Sequence, residues 1–261
     1  MKPVMNARTD WRELLRQPRL GDHIVQVYQD ETFLSETVSE YLAAGLRKGE
    51  GAIVICGAAR QSGFKNALAA AGIEINAAAS RGQLVFLDAA ETLARFMRNG
   101  MPDWTAFHSV VGGAIAALRL DYPSVRAYGD MVDALWRDGQ RDAAIRLEEY
   151  WNELTRLQTF SLLCAYYLDN LDPASYGGAL QCVCKVHTHL IPARDYVRFD
   201  EAVAQASRDA LDEPLARMLL SLAGAQQSGT EMPLGQATLL WLKDNMPLTA
   251  EKVLAGVRAR C

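Results

Sequence analysis

The sequence predicts a doubly wound α/β fold, in which helices cover both faces of a mostly parallel sheet of at least five strands. Short apolar, β-rich runs alternate with segments of helical periodicity over the first two thirds of the chain, as in parallel sheets. The runs are almost continuously apolar, which is typical of strands buried on both faces. After about residue 190 only helical stripes remain, which predicts a helical C-terminal extension.

Each strand and helix is predicted from its own local pattern. The β-rich runs predict strands at Ile24–Tyr28, Ala52–Cys56, Gln83–Asp88, Val125–Tyr128 and Phe160–Tyr167. Apolar stripes at helical spacing predict helices at Thr32–Leu46, Phe64–Ala71, Trp104–Leu120 and Arg141–Leu157. Glycines at 45, 49 and 51 mark the end of the first of these helices.

Length and charge limit the domain organisation and the class of protein. The chain has 261 residues, with 27 basic and 31 acidic side chains and a formal net charge of −4. This charge gives no general attraction to nucleic acid or to an anionic membrane. The apolar runs are about half as long as a membrane span requires. We expect an N-terminal helix or arm at 1–19, an α/β domain at 20–195 and a helical extension at 196–261.

The cysteines and the N-terminus predict a soluble cytoplasmic protein. Five cysteines are an odd number in a long chain, and three lie in or beside apolar runs, as in a reducing compartment. The first ten residues lack the apolar core of a secretory signal. From Asp195 onward, seven basic and nine acidic residues give a net charge of −2, which is unfavourable for binding DNA.

The candidate binding site lies beyond the carboxyl ends of the strands, where ligands bind in open parallel sheets. We expect three tyrosines to supply aromatic contacts, and Arg126 and Asp130 to set the polarity of the crevice. A buried charge needs a partner, so Arg126 is expected to pair with Asp130 or Glu148. The candidate ligand-binding residues are Tyr28, Glu31, Arg126, Tyr128, Asp130, Trp136, Glu148, Asn152, Cys164 and Tyr166.

Nucleotide and covalent chemistry are both disfavoured by the sequence. A phosphate-binding loop requires Gly-x-x-x-x-Gly-Lys-Ser/Thr after a strand, whereas the chain after the first strand reads Gln29-Asp30-Glu31-Thr32. Two acids at that position would repel phosphates while stabilising the helix dipole. Cys164 lies in an apolar run, where a reactive thiolate is disfavoured. We therefore predict no catalytic residue and no cofactor.

A cluster of cysteine and histidine residues gives a weaker alternative, a metal site. Its members are Cys182, Cys184, His187 and His189. Structural zinc sites usually separate two ligand pairs by a dozen or more residues, which this segment does not. The same alternation fits a packed strand with Cys182, Cys184 and Val186 facing inward, so we predict no metal here.

Several motifs, in the same order and at plausible spacing, resemble the MEDS domain, the methanogen/methylotroph DcmR sensory domain. They are His23-Ile24-Val25-Gln26-Val27-Tyr28, Tyr41-Leu42-x-x-Gly45-Leu46, Val125-Arg126-x-Tyr128-Gly129-Asp130, Leu147-Glu148-x-x-Trp151-Asn152, Leu162-Leu163-Cys164-Ala165-Tyr166 and Cys184-x-x-His187. The resemblance covers about residues 20–195. It implies a RecA/KaiC-like fold without the phosphate-binding loop, and small-molecule sensing in signal transduction, with hydrocarbon derivatives as proposed ligands. It also places Asp130 near the acid on the magnesium side of the ATPases, where the family usually has glutamate.

Three functional hypotheses follow. The first is a non-enzymatic sensory or regulatory domain, in transcription regulation or other signalling, that binds a small organic ligand. Its output would pass through a partner protein, such as a kinase or regulator, or through a homodimer. The second is a degenerate ATPase-like protein that retains magnesium–nucleotide binding at Asp130 and Glu31. The third is a protein-interaction scaffold with a vestigial pocket, which a crevice packed with side chains would favour.

Overall fold

The computed structural model describes residues 11–191, 196–225, 230 and 232–261 and forms two compact units. The first unit, which holds the parallel strands, ends at Tyr167, and the second begins at Leu168. The predicted α/β class is confirmed. The predicted N-terminal arm falls partly outside the described residues, which begin with a helix at Trp11–Arg16.

The first unit alternates strands with helices. Its strands are β1 (His23–Tyr28), β2 (Gly51–Cys56), β3 (Leu84–Asp88), β4 (Met97–Arg98), β5 (Met101–Pro102), β6 (Val125–Gly129) and β7 (Phe160–Tyr167). Its helices are α1 (Trp11–Arg16), α2 (Glu31–Arg47), α3 (Ala58–Ala70), α4 (Ile75–Ser80), α5 (Ala89–Phe96), α6 (Trp104–Phe107), α7 (Gly113–Asp121), α8 (Met131–Arg137) and α9 (Arg141–Leu157).

Five of these strands form a parallel sheet in the order β3-β2-β6-β7-β1, flanked by helices. The predicted strands match the observed ones to within one residue at each end, and α9 coincides with its prediction. The helix predicted at Trp104–Leu120 is interrupted, because a π-helical turn at His108–Gly112 separates α6 from α7. The short antiparallel pair β4–β5 was not predicted. It turns at Asn99-Gly100, where both residues have positive φ.

The second unit is largely helical. It contains a π-helical turn at Ser175–Ala179, a short strand β8 (His189–Ile191), and helices α10 (Leu180–Val186), α11 (Tyr196–Ala210), α12 (Glu213–Ala225), α13 (Leu234–Asn245) and α14 (Pro247–Arg258). Its described residues from 196 onward contain no strand, as the sequence predicts. Nowhere in the described parts of the chain is a helix both long and apolar enough to span a membrane.

The strand expected over Cys182–Val186 is wrong, because this segment forms α10. Leu180, Val183 and Cys184 are buried, and their spacing follows one face of a helix rather than alternate positions of a strand. Cys182 is only half-buried, while the His187 ring bonds through Nδ1 to the Val183 carbonyl at 2.6 Å. The cysteines therefore do not alternate inward as predicted. Instead, α10 buries one helical face, and His187 follows its last residue.

Arg126 is a buried charge of the first unit, 1 % exposed, and its predicted pairing is wrong. Its Nε donates to Glu50 Oε2 at 2.5 Å, and its Nη1 donates to the carbonyls of Leu15 and Tyr41. Register explains the error. Arg126 pairs with Ser161 of β7, so it lies on the opposite sheet face from Cys164, and Cys164 is the residue that neighbours Glu148. Asp130 is four residues further along the chain, beyond the end of β6.

Gly45 in α2 gives Arg126 its space. A Cβ at Gly45 would overlap the Arg126 side chain and lie 2.8 Å from Glu50 Oε2. We expect Gly45→Ala to lower the free energy of unfolding by about 1–3 kcal/mol, because the ion pair must move. Gly113→Ala is the matched control, since its Cβ would meet nothing within 4 Å. It should gain about 0.5–1 kcal/mol from helix propensity. Denaturant unfolding measures both, and a stabilised Gly45→Ala would contradict this packing.

Candidate functional site

Arg60 of α3 lies at the carboxyl ends of β1 and β6, a region that we call the crevice. Its Nη2 and Nε donate to Glu31 at 2.8 and 3.1 Å, and its Nη1 donates to Asp130 Oδ2 at 3.0 Å and Asp133 Oδ2 at 3.3 Å. Nη2 also donates to the Tyr28 hydroxyl, and the guanidinium lies 5.1 Å from the centre of the Tyr28 ring. A single cation therefore joins three carboxylates across the crevice.

Asp133 holds the strand ends in place beneath this cation. Its Oδ2 accepts from the Tyr28 hydroxyl at 2.7 Å, and its Oδ1 accepts from the Tyr167 backbone N–H at 2.9 Å. The carboxylate, which α8 carries, is buried and links the ends of β1 and β7. Burial, followed by the charge of Asp133, raises the pKa of Tyr28, so its hydroxyl stays protonated and donates.

Asp130 and Tyr128 carry polar atoms that nothing in the described part of the chain satisfies. Asp130 Oδ2 bonds to Arg60, but its Oδ1 has no hydrogen-bond partner among the described residues. The Tyr128 hydroxyl is likewise fully buried and unpartnered there. Burial raises the pKa of the Asp130 carboxyl to about 6, against the opposing effect of Arg60. Burial and then the Asp130 charge raise the pKa of Tyr128.

The connection between β1 and α2 leaves no room for a phosphate cradle. Only Gln29 and Asp30 separate the strand from the helix. The Asp30 side chain already accepts from the Thr32 backbone N–H at 2.8 Å, which caps the helix. The next residue, Glu31, pairs with Arg60. The Thr32 backbone donor at this helix start is therefore engaged by the protein's own carboxylate.

A second polar cluster lies between β1, β7 and α9. His23 Nε2 lies 3.2 Å from Cys164 Sγ and 3.3 Å from Glu148 Oε2, and these last two atoms are 3.9 Å apart. Asn152 Oδ1 lies 3.0 Å from His23 Nδ1, and the Tyr166 hydroxyl donates to Glu148 Oε1 at 2.7 Å. Each of the three central side chains is at most 1 % exposed. These five residues, which we call the α9 cluster, thus bring sulfur, nitrogen and oxygen donors from three secondary-structure elements together away from solvent.

The thiol of this cluster is unsuited to nucleophilic attack. A neighbouring imidazole can activate a cysteine, but burial raises the pKa of Cys164 well above its usual range, and the Glu148 charge adds to this effect. The residue is also inaccessible to solvent. Cys164 therefore stays a protonated thiol next to His23 unless a metal replaces its proton.

The ten candidate residues lie in three separate regions of the first unit. Tyr28, Glu31 and Asp130 lie at the crevice with the buried Tyr128 near them, and Arg126 lies apart with Glu50. Glu148, Asn152, Cys164 and Tyr166 belong to the α9 cluster, and the Trp136 ring packs edge-on against Tyr166 at 5.6 Å.

Sequence reasoning missed three of the residues that organise these places. Arg60 and Asp133 each lie four residues beyond the end of a strand, β2 and β6 respectively. A rule that includes the four residues after each strand would identify both. A histidine that opens an apolar strand is itself a signal of a functional residue, and it could have identified His23.

The fold and the crevice define an α/β domain whose strand ends carry an ionic network in place of a phosphate-binding loop. The chain belongs to the MEDS family, MEthanogen/methylotroph, DcmR Sensory domain, whose family model matches residues 22–188. The family indicates a sensory or regulatory role. No curated protein matches the chain.

The raised pKa of Asp130 predicts a pH-dependent stability. Its pKa is about 6 in the folded protein and about 4 when unfolded, so between these values the folded state binds the proton more tightly. Its contribution to the free energy of unfolding therefore falls as pH rises through this window. We expect the stability of Asp130→Asn relative to wild type to increase by about 2–3 kcal/mol from pH 4 to pH 7.

Urea unfolding of both proteins across this pH range measures the difference. Burial also raises the pKa of Asp200 to about 6, but that residue is present in both proteins and cancels. A difference that stays constant with pH, or falls, would show that the pKa of Asp130 is not raised in the folded protein.

Proposed function

We propose that this chain is a non-enzymatic sensory or regulatory domain that binds a small organic ligand at the carboxyl ends of β1 and β6. The ligand carries a hydroxyl or amino group, and binding is signalled through a partner protein or a second copy of the chain. Family membership supports the sensory role, and the chemistry of the crevice supports the class of ligand.

The observation that carries the proposal is the pair of unsatisfied polar atoms at Tyr128 and Asp130. One is a hydroxyl donor and the other is a carboxylate acceptor. A ligand hydroxyl can accept from Tyr128 and donate to Asp130, while a ligand amine can donate to Asp130. Each buried polar atom without a partner costs about 1–3 kcal/mol, so a ligand that supplies the partner recovers that free energy on binding.

Charge at the crevice selects against anions. Glu31, Asp130 and Asp133 surround a single guanidinium, so the network has a net negative charge whenever two or more of them are ionised. A phosphate or carboxylate ligand would have to approach these acids. The short β1–α2 connection also disfavours the nucleotide-binding alternative. Neutral and cationic ligands suit the site.

One observation favours the scaffold alternative. Arg60 already fills part of the crevice with a side chain, and it is only 16 % exposed. Under that alternative the network is a structural link between strand ends, and no ligand binds. The two hypotheses therefore differ in what they predict for Tyr128.

The helix α12 of the second unit offers a surface for the output. Leu215, Met218 and Leu222 follow one another at helical spacing and are 46, 54 and 36 % exposed, whereas Leu219 is buried. An exposed apolar stripe beside the buried Leu219 fits contact with another protein. We assign the proposed partner contact to this stripe.

Removing the Tyr128 hydroxyl distinguishes the sensor hypothesis from the scaffold hypothesis. In Tyr128→Phe the unliganded protein should be as stable as wild type or more so, because the lost hydroxyl has no partner. Its response to ligand should disappear. Thermal shifts with two- to four-carbon alcohols, amines and carboxylates measure this response. A ligand at a hundred times its Kd adds about 2.7 kcal/mol, which is several degrees in Tm.

The matched control is Tyr41→Phe, which removes a buried hydroxyl that bonds to Ser161 at 2.8 Å. It should lose about 1 kcal/mol of stability and keep the ligand response. A wild-type protein that no alcohol or amine stabilises would reject the sensor and favour the scaffold. Equal responses from wild type and Tyr128→Phe would place the ligand elsewhere.

A further inference from the structure

The α9 cluster has the composition and spacing of a metal site. A thiol, an imidazole and a carboxylate are the usual protein ligands of zinc. In a tetrahedral site with bonds of about 2.0–2.3 Å, neighbouring donor atoms lie about 3.3–3.6 Å apart. The three separations between His23 Nε2, Cys164 Sγ and Glu148 Oε2 are 3.2, 3.3 and 3.9 Å, each within a few tenths of an ångström of this range.

Two outer contacts aim these donors at a common centre. Asn152 Oδ1 is an acceptor, so it takes the hydrogen of His23 Nδ1 and leaves the lone pair of Nε2 facing Cys164 and Glu148. Tyr166 donates to Glu148 Oε1, which leaves Oε2 as the carboxylate atom nearest the histidine and the thiol. Such contacts orient the ligands in known metal sites.

Charge balance also fits a divalent cation. A thiolate and a carboxylate carry two negative charges, and a neutral imidazole carries none. Side chains that are at most 1 % exposed hold such charges only when a counter-charge neutralises them. Divalent zinc supplies that counter-charge, displacing the thiol proton to solvent as the sulfur–metal bond forms.

We propose that His23, Glu148 and Cys164 bind one divalent transition-metal ion of the zinc class. Three protein ligands leave one position of a tetrahedral ion for a further donor. The proposal is independent of the ligand proposed at the crevice, because none of its three ligands belongs to the Arg60 network.

Cobalt substitution tests the proposal in the full chain. Protein unfolded with a chelator and refolded without metal is titrated with Co²⁺, then with Zn²⁺. We expect one Co²⁺ per chain, with the near-ultraviolet band of a cobalt–thiolate bond and the visible bands of tetrahedral coordination, and displacement by one Zn²⁺. Cys164→Ser should lose the thiolate band and bind Zn²⁺ at least about tenfold more weakly.

Cys56→Ser is the matched control, because Cys56 is also a fully buried strand cysteine of the first unit. It should keep both the band and the affinity. Far-ultraviolet circular dichroism of the metal-free proteins checks folding, and His23→Gln replaces Cys164→Ser if the latter fails to fold. Metal well below one equivalent, a thiolate band that survives in Cys164→Ser, or unchanged affinity in the folded variant would each overturn the proposal.

Discussion

The alternation of side chains along β7 separates the polar groups of the first unit. Successive residues of a strand face opposite sides of the sheet, and the parallel register with β1 and β6 extends that division to both neighbours. Ser161 therefore meets Tyr41 on the side of Arg126, whereas Cys164 and Tyr166 meet Glu148 on the side of α9. A shift of β7 by one residue would exchange these two environments and turn Cys164 and Tyr166 towards the side of Arg126.

The crevice and the α9 cluster differ in their access to solvent, and this difference suits different roles. At the crevice, Glu31 is 56 % exposed, so one side of the ionic network can exchange with water and with small molecules. In the α9 cluster every central group is sealed, so its contents change only when the local structure opens. The crevice is therefore suited to reversible recognition, and the cluster is suited to a permanent constituent.

Sequence patterns predicted the strands closely because apolar runs between helical segments are local signals. They failed for Arg126, because its partner depends on which sheet face the residue takes and on Glu50, which lies 76 positions earlier in the connection between α2 and β2. They also failed for Arg60, whose long side chain carries its charge from α3 to the strand ends. Cys164 and Tyr166 are expected at the crevice because the strand-end rule takes no account of the sheet face that each residue occupies. Glu148 and Asn152 were correctly placed on one helical face, four residues apart.

The connection of two residues between β1 and α2 limits what this sheet could ever be made to bind. Grasping a triphosphate requires a glycine-rich loop of about eight residues at that junction. Point substitutions alone could not rebuild one here, because lengthening the junction means inserting residues between a buried strand and a capped helix. Both the length of this connection and its negative charge therefore oppose nucleotide binding in natural or engineered variants of this chain.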